Sequence, residues 1–278
     1  MAATAKAMTK RVMANGAVGL VLVAMPPLSV AADVLVDGNV NTGLNLDALI
    51  GSTIDIDAGV TVSNGLYQRV ITGTGTWTLT NYGSIAPASD VAGEGIRISG
   101  GGSSVHNHGS VRSGSNAIVL DGGGSVVNAT GATIDAGSAG ISIGDFSAGA
   151  GTVTNSGIIT QLDVFGTGYG YGDLVILSYG GKVTNTATGE ILASNSSNAV
   201  SVGQGASREV ENAGKIVNSY AGGYSTGVLV QGGPSTIINA ATGTIEGGFN
   251  GIYASGSAPL TFANHGFVRS TQGNRIWP

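Results

Sequence analysis

One short phrase recurs along this chain: an apolar residue, any residue, an asparagine, a glycine soon after, and then an aliphatic residue. The asparagines are Asn81, Asn107, Asn128, Asn155, Asn185, Asn212, Asn239 and Asn264, separated by 26, 21, 27, 30, 27, 27 and 25 residues. Two positions before them stand Leu79, Val105, Val126, Val153, Val183, Val210, Ile237 and Phe262, all apolar, while the residue between ranges from Thr80 through His106 to Glu211. That alternation is strand periodicity, one side chain inward and the next outward. Self-similarity at such a period calls for a stacked architecture and rules out an irregular globule.

The aliphatic residue follows the asparagine by four positions at Ile85, Val111, Ile159, Ile216 and Val268, and by six at Ile134, Ile191 and Ile245. The two lengths differ by two, so the turn lengthens without reversing which side chains point inward. A third strand closes each repeat: "GIRIS", "AIVLD", "GISIG", "LVILS", "AVSVG", "GVLVQ" and "GIYAS". Its inward residues are Ile96/Ile98, Ile118/Leu120, Ile141/Ile143, Val175/Leu177, Val200/Val202 and Val228/Val230, with Ile252 beginning the last. Gly or Ala opens each of these strands except at Leu174, as a tight corner requires.

Three short strands per ~26 residues predict an all-β fold, a parallel β-helix (solenoid). Propeller blades need about 40 residues, and leucine-rich repeats need a leucine ladder that is absent. At ~4.8 Å per coil, eight or nine coils make a rod of roughly 40 Å. One coil cannot bury its aliphatic residues or pair its strands alone, so stability is shared between neighbours. The asparagine points inward at a corner, where an isolated amide is costly. Stacked on its equivalent one coil away, it can donate to that neighbour and bond the turn backbone, and it tolerates a left-handed bend. In "KVTNTATGEI", Gly189 is expected to make the turn and Ile191 to re-enter the core.

Composition agrees. The chain has 49 glycines without a strict every-third spacing, so it is not collagen, and its frequent alternating aliphatics argue against disorder. There is no cysteine, hence no disulfide and no thiolate metal site.

Residues 1–32 read as a signal peptide: Lys6, Lys10 and Arg11, then the apolar run "GAVGLVLVAM", then "PPLSVAA" with cleavage after Ala31 or Ala32. The run is too short to span a bilayer comfortably. Removing these three basic residues from 11 leaves 8 against 16 acidic ones, a net charge of −8. That balance argues against nucleic acid as a partner. The expected organisation is therefore a signal peptide over 1–32, an N-terminal cap with the first coils over 33–76, and β-helix repeats over 77–278.

A signal peptide, three-strand coils with "V-x-N-x-G-x-I" phrases and no cysteine resemble the passenger region of bacterial autotransporters (type V secretion), over about residues 33–278. The resemblance implies a right-handed parallel β-helix. It also implies secretion through the periplasm of a Gram-negative bacterium to the cell surface or outer membrane, and adhesion, virulence or enzymatic roles there. The family ends in an outer-membrane β-barrel. This chain has repeats almost to "GNRIWP" and no set of ~10-residue strands with aromatic girdles. It is therefore expected to be a partial passenger lacking the translocator barrel, with an open sheet edge at its C-terminal coil.

Five features invite a site. "GYSTG" at Gly223–Gly227 matches the G-x-S-x-G elbow, but a strand and not a helix follows Ser225, and only Glu246 and His265 lie downstream. His106 and His108 flank Asn107 without a third ligand, so they read as outward residues. Asp55 and Asp57 share a strand face, and a solvated outer face is the plainer account than calcium or glycosidase chemistry. The 30-residue repeat carries "GTGYGYG", read as a loop on which Tyr169 and Tyr171 could stack on a sugar or anchor a protein. Finally, a secreted β-helical polysaccharide-degrading enzyme, the main rival, requires three or more of Asp55, Asp57, Asp163, Asp173 and Arg97 to share one cleft. A trimeric adhesin head has shorter repeats. The expectation is a non-enzymatic surface rod with no cofactor and no metal, presenting itself to a host-surface protein or glycan.

Overall fold

The computed structural model describes residues 34–65, 68–88, 93–144, 149–162, 172–195, 197–205, 207–220 and 225–272, and the backbone of 10–12 and 276–277. The expected targeting segment, including Ala31 and Ala32, lies outside the described residues except for the backbone of Lys10–Val12. That strand pairs in parallel with Val34–Val36.

Three parallel sheets of 11, 9 and 10 strands wind into a β-solenoid of about eight turns. The first sheet carries the asparagines: Thr78–Asn81, Ser103–Asn107, Gly124–Asn128, Gly151–Asn155, Gly181–Asn185, Arg208–Asn212, Ser235–Asn239 and Leu260–Asn264 stack in register above Val34–Val36 and Thr53–Ile56. The second sheet holds the aliphatic residues that follow the turn, for example Glu190–Ala193 beneath Lys215–Asn218. The third runs from Leu44–Asn45 through strands such as Ile96–Ile98 and Asn198–Val202 to Ile276–Trp277. The one helical element among the described residues is a single 3-10 turn, Leu46–Ala48, whose N-cap Asn45 accepts from the Asp47 N–H and whose Leu46 is fully buried.

Alternation decides the core. Every inward residue expected in the third sheet is buried, as are Leu79 to Ile237 before the asparagines and Ile85 to Ile245 after them. The last coil differs: Phe262 and Val268 are half-buried and Asn264 is exposed.

The asparagines form a continuous ladder. Each Nδ2 donates to the Oδ1 of the next coil's asparagine: 81 to 107, 107 to 128, 128 to 155, 155 to 185, 185 to 212, 212 to 239 and 239 to 264, all at 2.8–2.9 Å. The same amide donates to a backbone carbonyl in the coil above, as Asn185 does to Lys215 at 3.1 Å. It also reaches the carbonyl of its own turn, Gly189 for Asn185. All seven inter-side-chain bonds point one way, so every interior amide donates to the coil above and accepts from the coil below. The ladder stands on Ile56, which occupies the equivalent place beneath Asn81.

Beside the ladder runs a column of glycines, and Gly189 closes its turn as expected, its N–H donating to the Thr186 carbonyl at 2.9 Å. Gly83, Gly109, Gly157, Gly189, Gly214, Gly243 and Gly266 occupy equivalent places in successive coils. Gly189 is not in the left-handed region. It is glycine because a Cβ there would lie 2.2 Å from the Asn185 Oδ1 and 2.4 Å from the Asn155 carbonyl oxygen. Close approach, and not the turn angle, sets the residue. Ala132 is the exception in this column. Its turn is closed by the same bond, from the Ala132 N–H to the Ala129 carbonyl, and has Gly131 at φ 82° just before it.

The other two corners do not repeat one residue. The second is filled from within by Ser113, Ala136, Gln161, Ala193 and Asn218 in successive coils. Each polar member answers a different backbone group: Ser113 Oγ donates to the Gly93 carbonyl, and Asn218 Nδ2 donates to the Ser197 and Thr226 carbonyls. At the third corner Gly124, Gly151 and Gly181 give way to Arg208, which is only 4% exposed. Its Nε donates to the Gly203 carbonyl at 2.6 Å, and its Nη1 has no partner among the described residues.

Candidate functional site

Outward residues carry whatever chemistry the rod has. The candidates read from the sequence scatter. Asp55 and Asp57 are exposed, at the asparagine sheet and the turn after it. Arg97 is outward on the third sheet. Asp173 stands at the start of a third-sheet strand three coils beyond Arg97. These four do not share one cleft. Asp163, Tyr169 and Tyr171 lie outside the described residues.

The elbow reading of "GYSTG" is replaced by a structural one. Ser225 is fully buried, its Oγ accepts from the Phe249 N–H at 3.1 Å, and the strand Thr226–Gln231 follows it. Glu246 is paired with Arg269 on the second sheet, away from any serine role. His106 faces outward from the asparagine sheet. His108 sits at the corner and stacks on the exposed Tyr82, with ring centroids 4.9 Å apart. No group of three or more metal-ligand side chains occurs among the described residues.

Among the described residues, clefts open on the third-sheet side at two places. The first, about 570 Å³, crosses three coils and is lined by Asn64, Gln68, Arg69, Thr72, Glu94 and Ser115. Beside it a charge chain runs across the coils. Arg97 donates to both oxygens of Asp121, Nε to Oδ2 at 3.0 Å and Nη2 to Oδ1 at 2.9 Å, and through Nη1 to Glu94 at 2.8 Å. Arg69 Nε closes the chain on Glu94, and Ser99 Oγ donates to Asp121. Burial works against the Arg97 charge, but the Asp121 bonds and the Glu94 carboxylate outweigh it and hold its pKa above the ordinary value. Two guanidinium groups thus balance two carboxylates. The sequence reading missed Arg69, Glu94 and Asp121. Aligning outward positions of adjacent coils, which sets Arg97 beside Val119 and hence near Asp121, could have found the central pair.

The second cleft, about 370 Å³, lies farther along at the corner where third-sheet strands end. Ile176 and Ser201 form its floor, and Ser178, Tyr179, Gln204 and Gln231 its rim. Below it Asp173 is largely buried, and its Oδ1 accepts from Asn198 Nδ2 at 2.6 Å. Burial raises its pKa, outweighing the hydrogen bonds from Asn198 and Ser201. The folded chain therefore holds this proton to higher pH than the unfolded chain does. Its stabilising contribution is fully present below the unfolded value, near 3.8, and is lost as pH rises through the folded pKa. Asp173→Asn should gain in melting temperature relative to the parent as pH rises from about 4 to about 7. A constant difference across that range contradicts this assignment.

Comparison with protein-family profiles, with characterised proteins and with solved structures found no match. What the chain's own geometry defines is a class: a parallel β-solenoid, the architecture found in autotransporter passenger domains.

Proposed function

We propose that the chain is a non-enzymatic, surface-presented rod of the autotransporter-passenger type, secreted through the periplasm and serving adhesion or structural display. The observation that carries this reading is the uniformity of the stack. One ladder runs through eight coils, and the outward basic side chains are largely spent on pairs between neighbouring coils. Lys182 joins Glu209 and Glu211, Lys215 joins Glu190, and Arg269 joins Glu246. Such pairs add little stability individually. A rod of this kind is built to hold its outer corners at fixed spacing from an attachment point, and loops and corners are where a scaffold carries recognition.

The rival, a polysaccharide-degrading enzyme, draws on Glu94 and Asp121 beside the first cleft. Glycosidase chemistry pairs a carboxyl acid with a second carboxylate. Here both carboxylates are tied into hydrogen bonds from guanidinium groups, Glu94 to Arg69 and Arg97 and Asp121 to Arg97, which leaves neither free to face a bound sugar. The test of display is antibody labelling of intact cells that express the gene natively. Labelling without permeabilisation is expected, with loss of the signal after protease treatment of whole cells. Signal only after permeabilisation contradicts it.

A further inference from the structure

We infer that the second cleft, around Tyr179, is a binding site for a neutral oligosaccharide. The inference deepens the adhesive reading above by assigning it a site and a class of ligand.

The cleft is a concave, mostly polar and uncharged surface with one aliphatic and one aromatic side chain, a composition that suits a hydroxyl-rich ligand. Ile176 supplies the floor and Tyr179, 37% exposed, the wall. Gln204 and Gln231 supply two amides, each with a donor and an acceptor side by side. Adjacent hydroxyls of a sugar ring present the same pairing of donor and acceptor, and the C–H face of the ring suits an aromatic side chain, whose face carries partial negative charge. The side chains of Tyr179, Gln204 and Gln231 make no hydrogen bond to one another. These residues come from three successive coils, following the strands Val175–Leu177 and Asn198–Val202 and ending Thr226–Gln231. At ~4.8 Å per coil they span about 10 Å along the rod, room for more than one ring.

Other ligand classes fit less well. No described residue lining the cleft is charged, and the Asp173 carboxyl beneath it is engaged by Asn198, so an ionic ligand finds no free counter-charge there. Arg208, behind this corner, is buried and holds the Gly203 carbonyl through its Nε. That bond helps fix the corner carrying Gln204, which favours a preformed site. A peptide adding to the sheet needs a free strand edge. The third sheet is continuous through these coils, each strand paired on both sides, so its backbone is already used.

The sequence reading sought a sugar platform at Tyr169 and Tyr171 in the same long repeat. Those two residues lie outside the described ones, and the proposed role falls to Tyr179, which lines the cleft.

The test is isothermal titration of the full chain with cellohexaose, xylohexaose and mannohexaose, with hexagalacturonate as the charged comparator. At least one neutral hexaose should bind. Tyr179→Ala should weaken it about tenfold or more, the loss of one aromatic anchor, and Gln204→Ala several-fold. Tyr82→Ala, on a different corner, should leave binding unchanged, and all three variants should melt with the parent. Binding of none of the neutral probes, binding of hexagalacturonate alone, or binding indifferent to both Tyr179→Ala and Gln204→Ala overturns the proposal. The titration uses purified protein, so a failure of cell-surface labelling does not touch it. Cleavage of a bound hexaose overturns the non-enzymatic reading and leaves the site standing.

Discussion

Asn185→Leu is expected to lower stability by about 3–5 kcal/mol, because it strands buried polar groups on both sides of the ladder. Asn155 Nδ2 loses its side-chain acceptor and keeps only the Glu190 carbonyl, Asn212 Oδ1 loses the donor below it, and the Gly189 and Lys215 carbonyls lose the amide that reaches them. Each stranded group costs about 1–3 kcal/mol when water cannot replace its partner. Leucine is close in size and adds apolar surface, which offsets only part of this. Thr184→Ala, one residue away on the outer face, should change stability by no more than about 0.5 kcal/mol. Thermal or urea denaturation of the two variants decides the matter. Equal midpoints would show that the inward amides contribute nothing beyond filling space.

Gly189→Ala is the second large effect, and its cause is steric. The new methyl would sit between the Asn185 amide and the Asn155 carbonyl. Backbone cannot move away without lengthening the ladder, so a loss of about 2–3 kcal/mol is expected, in the range of overpacked cores. Ala132 shows how the coil accommodates alanine at this place. Its turn reads Ala129, Thr130, Gly131, with Gly131 in the left-handed region, and the bond from Asn128 Nδ2 to the Ala132 carbonyl is stretched to 3.5 Å. Copying that turn, Thr188→Gly with Gly189→Ala, should therefore recover most of the loss. If the double variant is as unstable as Gly189→Ala alone, the steric account of the glycine column fails.

The asparagine sheet and the third sheet were legible because burial in a strand alternates with a fixed period of two. An inward position such as Val183 or Ile118 repeats at each coil whatever happens in the turns. The ladder was legible for a related reason: identical residues stacked in register can satisfy one another, so selection for packing writes the same letter each time. The second corner was not legible. Ser113, Gln161 and Asn218 each answer a local backbone group, so no common residue marks the column. Gly189 was assigned to the turn, but the reason it must be glycine was not legible, since sequence alone does not distinguish a glycine needed for its backbone angle from one needed for space. Arg208 broke the pattern at an inward position and passed unnoticed, because a long side chain can enter a corner that glycine fills in neighbouring coils. The clefts are the least legible, being made by residues one coil apart in space and about 25 apart in sequence. Arg97 and Asp173 were picked out singly, and their partners Asp121, Glu94 and Asn198 emerged only when adjacent coils were laid in register.

The central claim is that register: each coil lies on the next with asparagine above asparagine. The chain has no cysteine, so an introduced pair reports on it without interference. Thr154 and Thr184 are outward partners on adjacent coils. At the ~4.8 Å strand spacing their Cα atoms fall within disulfide range, whereas Thr152 and Thr184 are about 8 Å apart and outside it. Mild oxidation should close Thr154→Cys/Thr184→Cys nearly completely and leave Thr152→Cys/Thr184→Cys reduced. Closure of the second pair in preference to the first would contradict the stack described.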